Sequence, residues 1–256
     1  MTRLEGGFIN DVYLVNGVVV KVFGNDQLVG VSSSQRIANE TRALNIFGGD
    51  IAPRLIRVAK AALHQEFIDG ESYETKARRG ERVFEAAGRC LKKIHNVCLE
   101  KRILHSYYGE RFEKAVNMSR SILEFEDISP KFDVLWEFVD QLGVVYIHGD
   151  FWLGNIIGKE KESAKVIDWE FSGKGSPYED FAIAELWIFR EFPGSGVEFW
   201  QGYGARPNQA AINSFLILRC VEFLATTMLE DYLTENKEGF YHNKISVLRL
   251  LCSQDL

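Results

Sequence analysis

The 256-residue chain has no run of about 18 consecutive apolar residues, so no membrane-spanning helix is expected. Met1-Thr2-Arg3-Leu4-Glu5 lacks the apolar centre of a secretion signal. Cysteine is scarce. Cys90, Cys98, Cys220 and Cys252 are too few for a disulfide framework and lack close metal-ligand spacing. They read as reduced thiols of a cytoplasmic protein. An excess of positive charge is missing too, and a net charge of −6 argues against a general nucleic-acid binder. Internal repeats and low-complexity tracts are absent. What is present is 46% hydrophobic and 26% charged residues, the balance of a soluble globular chain able to bury a substantial core.

The acidity is uneven. Residues 1–168 carry 24 acidic and 23 basic residues, whereas residues 169–256 carry 12 and 7. That excess in the last third favours a cationic small molecule through its field alone, although a solvated acidic surface is the plainer reading.

Residues 12–23, "VYLVNGVVVKVF", predict two strands joined at Asn16-Gly17, the dipeptide suited to a two-residue hairpin turn. Serine caps, a helical stretch and a Gly48-Gly49 stop follow in "SSSQRIANETRALNIFGGD", and residues 54–68 predict two more strands. After Asp69-Gly70 the pattern turns helical, with helices expected over 81–96, 107–125, Ser129-Pro130 to Gly143, 177–192 and 208–235. The expectation is an α+β protein of two lobes. Residues 1–68 would form a small antiparallel sheet with one helix, and residues 69–256 a larger, mainly helical lobe.

The densest chemistry lies in "VVYIHGDFWLGNIIG", residues 144–158, where two apolar runs flank His148, Asp150 and Asn155. Asn155–Gly158 and Lys165–Asp168 predict a hairpin around the polar turn "KEKESA". Folding it about its midpoint sets position 155 opposite position 168, bringing Asn155, Asp168 and the nearby Asp150 together. Three oxygen-bearing side chains on hydrophobic supports suit a hard cation of the Mg²⁺ type, with one carboxylate to spare.

"HGDFWLGN" followed after 12 residues by "DWEF" resembles the aminoglycoside phosphotransferase / choline kinase-like family, small-molecule relatives of the protein kinases. The resemblance implies the two-lobed protein-kinase-like fold, ATP or another nucleoside triphosphate as donor, and Mg²⁺. It implies a phosphotransferase with an alcohol group as acceptor: an aminoglycoside, amino-alcohol or sugar-like small molecule, with no nucleic-acid or membrane partner. Asp150 would accept or orient the hydroxyl proton, and Asn155 and Asp168 would hold Mg²⁺. His148 reads as a brace for the loop. Lys21, in the apolar "VVVKVF", would contact the phosphates, and Glu40 on the next helix would hold Lys21.

Gly7, beside Gly6 in "EGGFINDVYLV", permits close backbone approach to phosphate, and Asn10 could offer a side-chain contact, although the protein-kinase GxGxxG is absent. The hinge segment "HQEFIDG" offers Glu66, Phe67 and Ile68 to the nucleotide base through their backbone. Asp180 in "SPYEDFA" would tie down the catalytic-loop backbone, and His95 in "LKKIH" reads as packed or capping. Candidates for the acceptor pocket are Glu185, Trp187, Trp200, Glu222, Glu230 and Asp231, because carboxylates among aromatics suit an amine.

Three other readings compete. A Ser/Thr protein kinase would need an activation segment, but only 11 residues separate Asp168 from Asp180. A nucleotide-binding regulatory module without turnover would have no need of Asp150. A metal-dependent hydrolase built on His148 and Asp150 lacks a second histidine at ligand spacing.

Overall fold

The computed structural model describes residues 1–4, 10–24, 31–97, 104–122, 128, 144–160, 163–229 and 246. Its first sheet is antiparallel throughout, with strands β1 (Thr2–Arg3), β2 (Asp11–Val15), β3 (Val18–Val22), β4 (Leu55–Ala59) and β5 (Ala62–Glu66) in the order β1-β2-β3-β5-β4. Asn16 and Gly17 take φ of 50° and 79°, the paired positive values that a tight primed turn demands. Along β3, Val19 and Lys21 face inward with Phe23 beyond them. A lysine therefore shares the buried side of the sheet with two apolar residues.

Helix α1 (Ser33–Phe47) crosses behind the sheet, capped by Ser32, whose hydroxyl accepts from the Gln35 amide. Its buried stripe is Arg36, Glu40, Ala43, Leu44 and Phe47. The helical period is regular, but its first two members are charged, so that end of the helix must meet polar partners. At the other end Phe47 stacks on Trp169, 5.0 Å between ring centres, and meets Tyr146 edge-on.

The second part combines short strands with helices. β6 (Glu71–Ser72), β8 (Ile156–Gly158) and β9 (Lys165–Val166) form a three-stranded sheet, and β7 (Val145–Ile147) pairs with β10 (Gly173–Gly175). Around them lie α2 (Tyr73–Arg78), α3 (Phe84–His95), α4 (Leu104–Ile122), α5 (Pro177–Ala184), α6 (Ser195–Tyr203) and α7 (Gln209–Leu229). α5 continues into a π-helical turn, Glu185–Phe189. One apolar core runs from Leu44 and Phe47 of α1 through Leu91, Tyr146, Phe151 and Trp169 to Phe215 and Leu224 of α7. α3 and α6 approach closely because each offers a glycine: a Cβ at Gly88 would lie 2.1 Å from the Phe199 oxygen, and one at Gly202 1.9 Å from the Glu85 oxygen.

Four expected helices fall on α3, α4, α5 and α7 with shifted ends, and the one expected over Ser129-Pro130 to Gly143 lies outside the described residues. The residues of α6, "SGVEFWQGY", carry two internal glycines that hide its helical character from sequence. β10 is Gly-Lys-Gly, a strand made by pairing with β7 and not by side-chain preference. Cys90 and Cys220 are buried, while Cys98 and Cys252 lie outside the described residues. Among the described residues no helix is long and apolar enough to cross a membrane.

Candidate active site

Residues 148–155 form the loop between β7 and β8 and end in the short 3₁₀ turn Leu153–Asn155. Phe151 and Leu153 anchor it in the core. Gly149 has φ of 82°, and a Cβ there would sit 2.3 Å from the Phe171 oxygen, so only glycine lets the loop pass. Asp180, in the first turn of α5, accepts from the amides of His148 (2.8 Å) and Gly149 (2.7 Å). His95 of α3 lies 3.0 Å from the same carboxylate, and its other ring nitrogen is 3.0 Å from the Tyr203 hydroxyl. Burial alone would raise the Asp180 carboxyl, but His95 and the amide donors hold it below its ordinary value. His148 braces the loop: its Nε2 meets the Ile167 oxygen at 3.0 Å, and burial drives its pKa down, which keeps it neutral.

The predicted opposition of Asn155 and Asp168 is wrong by one residue. Ile156 pairs with Val166 and Ile157 with Lys165, and the Ile167 amide donates to the Asn155 oxygen at 2.9 Å. Asn155 also belongs to the 3₁₀ turn and not to the strand. A one-residue slip sends side chains to the opposite face of a ribbon. Asp168 compensates by leaving the strand in a left-handed conformation, φ 64°, unusual for a residue with a Cβ. In that conformation its carboxylate receives the Lys21 ammonium at 2.5 Å.

Lys21 also donates to Glu40 at 2.7 Å, closing a link between β3, α1 and the hairpin. Burial would push the Lys21 pKa down, but Asp168, Glu40 and Glu170 outweigh it and hold the ammonium charged. For Asp168, burial is likewise outweighed by Lys21, which keeps its carboxyl below the ordinary range. Asp150 has the opposite balance. Burial, with the charge of Asp168 added, raises it to about 7 against the pull of Arg219 and of Asn155. The Asn155 amide nitrogen donates to the backbone oxygen of Asp150 at 3.0 Å and to its carboxylate at 3.2 Å. That leaves the amide oxygen as the atom a cation would take.

Beside this group lies a second polar cluster. Glu170 accepts from Asn10 (2.8 Å) and Arg36 (3.0 Å) and stands 3.8 Å from Lys21. Arg36 also donates to the Asn10 side-chain oxygen (3.0 Å) and to the Gly24 carbonyl (3.1 Å), and Asn39 donates to the Glu170 carbonyl (3.0 Å). The sequence offered Asn10 as a phosphate contact. Both ends of its amide are instead occupied here. Gly6 and Gly7 lie outside the described residues. Glu66 closes β5 with its side chain turned to Arg54, whose backbone amide and Nε it accepts from at 3.1 and 3.4 Å; Phe67 and Ile68 continue from that strand.

Two buried cations, Lys21 and Arg36, thus hold three carboxylates, Glu40, Asp168 and Glu170, with Asp150 beside them under the pull of Arg219. Carboxylates outnumber the ammonium and guanidinium groups that hold them, a surplus that a divalent cation can offset. Among the described residues no cluster of three or more His, Cys, Asp or Glu groups could cage a metal. The donors present, a carboxylate from Asp168 and an amide oxygen from Asn155, are hard oxygens of the kind Mg²⁺ takes, with water and phosphate filling the rest of its octahedron.

The acceptor candidates do not converge. Glu185 and Trp200 line a cavity of about 730 Å³ with Phe189, Arg206 and Gln209, and none of Asp150, Asn155 or Asp168 borders it. Trp187 packs near Trp152 of the loop, 6.5 Å between ring centres. Glu222 is held by Arg111 (2.8 and 3.0 Å) and Arg219 (3.0 Å). Glu230 and Asp231 lie outside the described residues. Sequence reasoning passed over Arg36 and Arg219. The first has a readable signal, since it precedes Glu40 by one helical turn; the second, which reaches the Gly149 oxygen from α7 at 3.3 Å, has none.

The model of the phosphotransferase enzyme family matches residues 1–213, and the chain belongs to that family. Human ethanolamine kinase 1 is 28% identical over 241 residues, covering 77% of this chain and 52% of that protein. The chain thus spans about half the length of this curated relative. Among solved structures, a choline/ethanolamine kinase family protein from Mesorhizobium loti superimposes with a TM-score of 0.69 at 17% identity, over 98% of this chain and 87% of that one. An ADP-bound aminoglycoside phosphotransferase gives a TM-score of 0.64 at 17% identity, over 98% and 92%. The fold is the protein-kinase-like α+β fold of these enzymes.

Proposed function

We propose that the chain transfers the γ-phosphoryl group of ATP, with Mg²⁺, to a hydroxyl of a small molecule. The observation that carries this reading is the convergence of Lys21, Glu40, Asn155 and Asp168 beside a carboxylate, Asp150, that belongs to neither ion pair. Asp168 and Asn155 would hold Mg²⁺, which neutralises phosphate charge when bound. Lys21, charged and fixed by Glu40, meets phosphate oxygens. Asp150, on a loop pinned by Asp180, orients the acceptor hydroxyl and takes its proton at a carboxylate oxygen. Phosphoryl transfer asks mainly for alignment and charge neutralisation, and rigid anchoring of the loop supplies the first. The hinge residues Glu66, Phe67 and Ile68 offer backbone groups to the base.

Amino-alcohols are the first acceptor class to test, because the relatives named above are a kinase of ethanolamine and a member of the choline/ethanolamine kinase family. The acidic last third is consistent with that choice. Purified protein with ATP and Mg²⁺ is assayed for ADP release across amino-alcohols, aminoglycosides, sugars and nucleosides. Turnover confined to one class, confirmed by a phosphorylated product, is the expected result. ATP binding without acceptor-dependent turnover would replace this reading by that of a binding module.

A further inference from the structure

Glu170 occupies an unusual place. It follows the candidate metal ligand by two residues, is almost fully buried, and has the Lys21 ammonium within 3.8 Å. In a low-dielectric site two opposite charges at that distance attract strongly and would close to a direct pair of about 2.8 Å. They do not close. Arg36 and Asn10 hold the same carboxylate oxygen at 3.0 and 2.8 Å. Arg36 is itself fixed by the Gly24 carbonyl and the Asn10 oxygen, so the restraint ties α1 to the residue before β2 and to the chain just beyond β3. Asn39 fixes the Glu170 backbone independently.

We propose that Arg36, assisted by Asn10, is a positioning residue that keeps the Glu170 carboxylate off Lys21 and so leaves the ammonium available to the nucleotide phosphates. Lys21 already answers to Glu40 and Asp168. A third direct carboxylate would compete with phosphate for its three N–H donors. This inference rests on the nucleotide-binding role of Lys21 given above.

The test measures Mg·ATP affinity by calorimetry, with thermal melting as the folding check, for Asn10→Ala, Arg36→Met, Glu170→Gln and the two double variants that combine Glu170→Gln with each of the others. Asn10→Ala removes a donor without stranding a buried cation, so it remains informative if Arg36→Met does not fold. Arg36→Met is expected to bind Mg·ATP about tenfold more weakly and Asn10→Ala about threefold, each with acceptor KM unchanged. Glu170→Gln, which removes the competing charge, is expected to restore affinity in both backgrounds. A merely structural role would lower melting temperature without recovery of ATP affinity in the double variants. Unchanged affinity in the single variants, or losses that Glu170→Gln fails to reverse, would overturn the inference. Failure of the unmodified chain to bind Mg·ATP would instead overturn the function on which it rests.

Discussion

The two sides of the loop 148–155 are built differently. Toward the sheet, polar side chains from β2, β3, α1 and the hairpin converge on one buried cluster with an excess of carboxylate. Toward α4 and α7, charged groups are just as buried but cancel: Arg111 and Arg219 against Glu179 and Glu222, with Tyr108 donating to Glu179. An unbalanced cluster asks for a charged ligand, whereas a balanced one holds helices together. The contrast teaches that buried carboxylates near an active site are not interchangeable as functional candidates. What separates them is whether protein cations already satisfy them.

The contrast breaks first at Asp150. Asp150→Ala should lower kcat by roughly 10³-fold while ATP affinity stays within about twofold, measured by steady-state kinetics and calorimetry. A variant with normal rates would remove Asp150 from the chemistry. Asp168→Ala should act on the nucleotide instead, weakening Mg·ATP by about 100-fold, because it deletes the proposed metal ligand and a partner of Lys21 together.

On the balanced side the expected loss is stability. Glu222→Gln should cost about 3 kcal/mol in denaturant unfolding, since it removes the carboxylate charge shared by the buried Arg111 and Arg219, leaving Arg111 only Glu179, and should leave acceptor KM nearly unchanged. The reverse outcome, intact stability with a large rise in acceptor KM, would make Glu222 a recognition residue. The smallest effect is expected with acid. Asp180 is held below its ordinary value of 3.8. The stability it contributes is therefore present above that value and is lost as pH falls through the depressed one. Urea midpoints taken from pH 6 to pH 3 should fall less steeply in Asp180→Asn than in the unmodified chain.

Much of the polar cluster beside the sheet was legible in the residues. A lysine amid valines, a glutamate on the next helix and the HGDxxxxN…D spacing each carry a chemical demand that local sequence states openly. The hairpin register was not legible, because a one-residue shift costs the strand pattern nothing when the flanking residues Ile156, Ile157 and Val166 are all apolar. The partners of Asn10 were not legible for a related reason. A polar residue next to a glycine pair suggests a loop open to ligand, and its partners, Arg36 and Glu170, lie 26 and 160 residues away. The acceptor side was legible least, since aromatics and acids at helical spacing look alike whether they line a cavity, as Trp200 does, or lie beside the loop, as Trp187 does.

By itself, then, the sequence determined the α+β class, the hairpin at Asn16-Gly17, the charged stripe of α1 and the family to which the chain belongs, all of which depend on neighbours within a few turns or on fixed motif spacing. Tertiary structure alone decided that Asp168 turns back through a left-handed conformation to meet Lys21, that Glu170 is held by Arg36, and that Glu222 is neutralised. Those outcomes depend on which buried charges come within a few ångströms of each other. Distance along the chain carries no record of that.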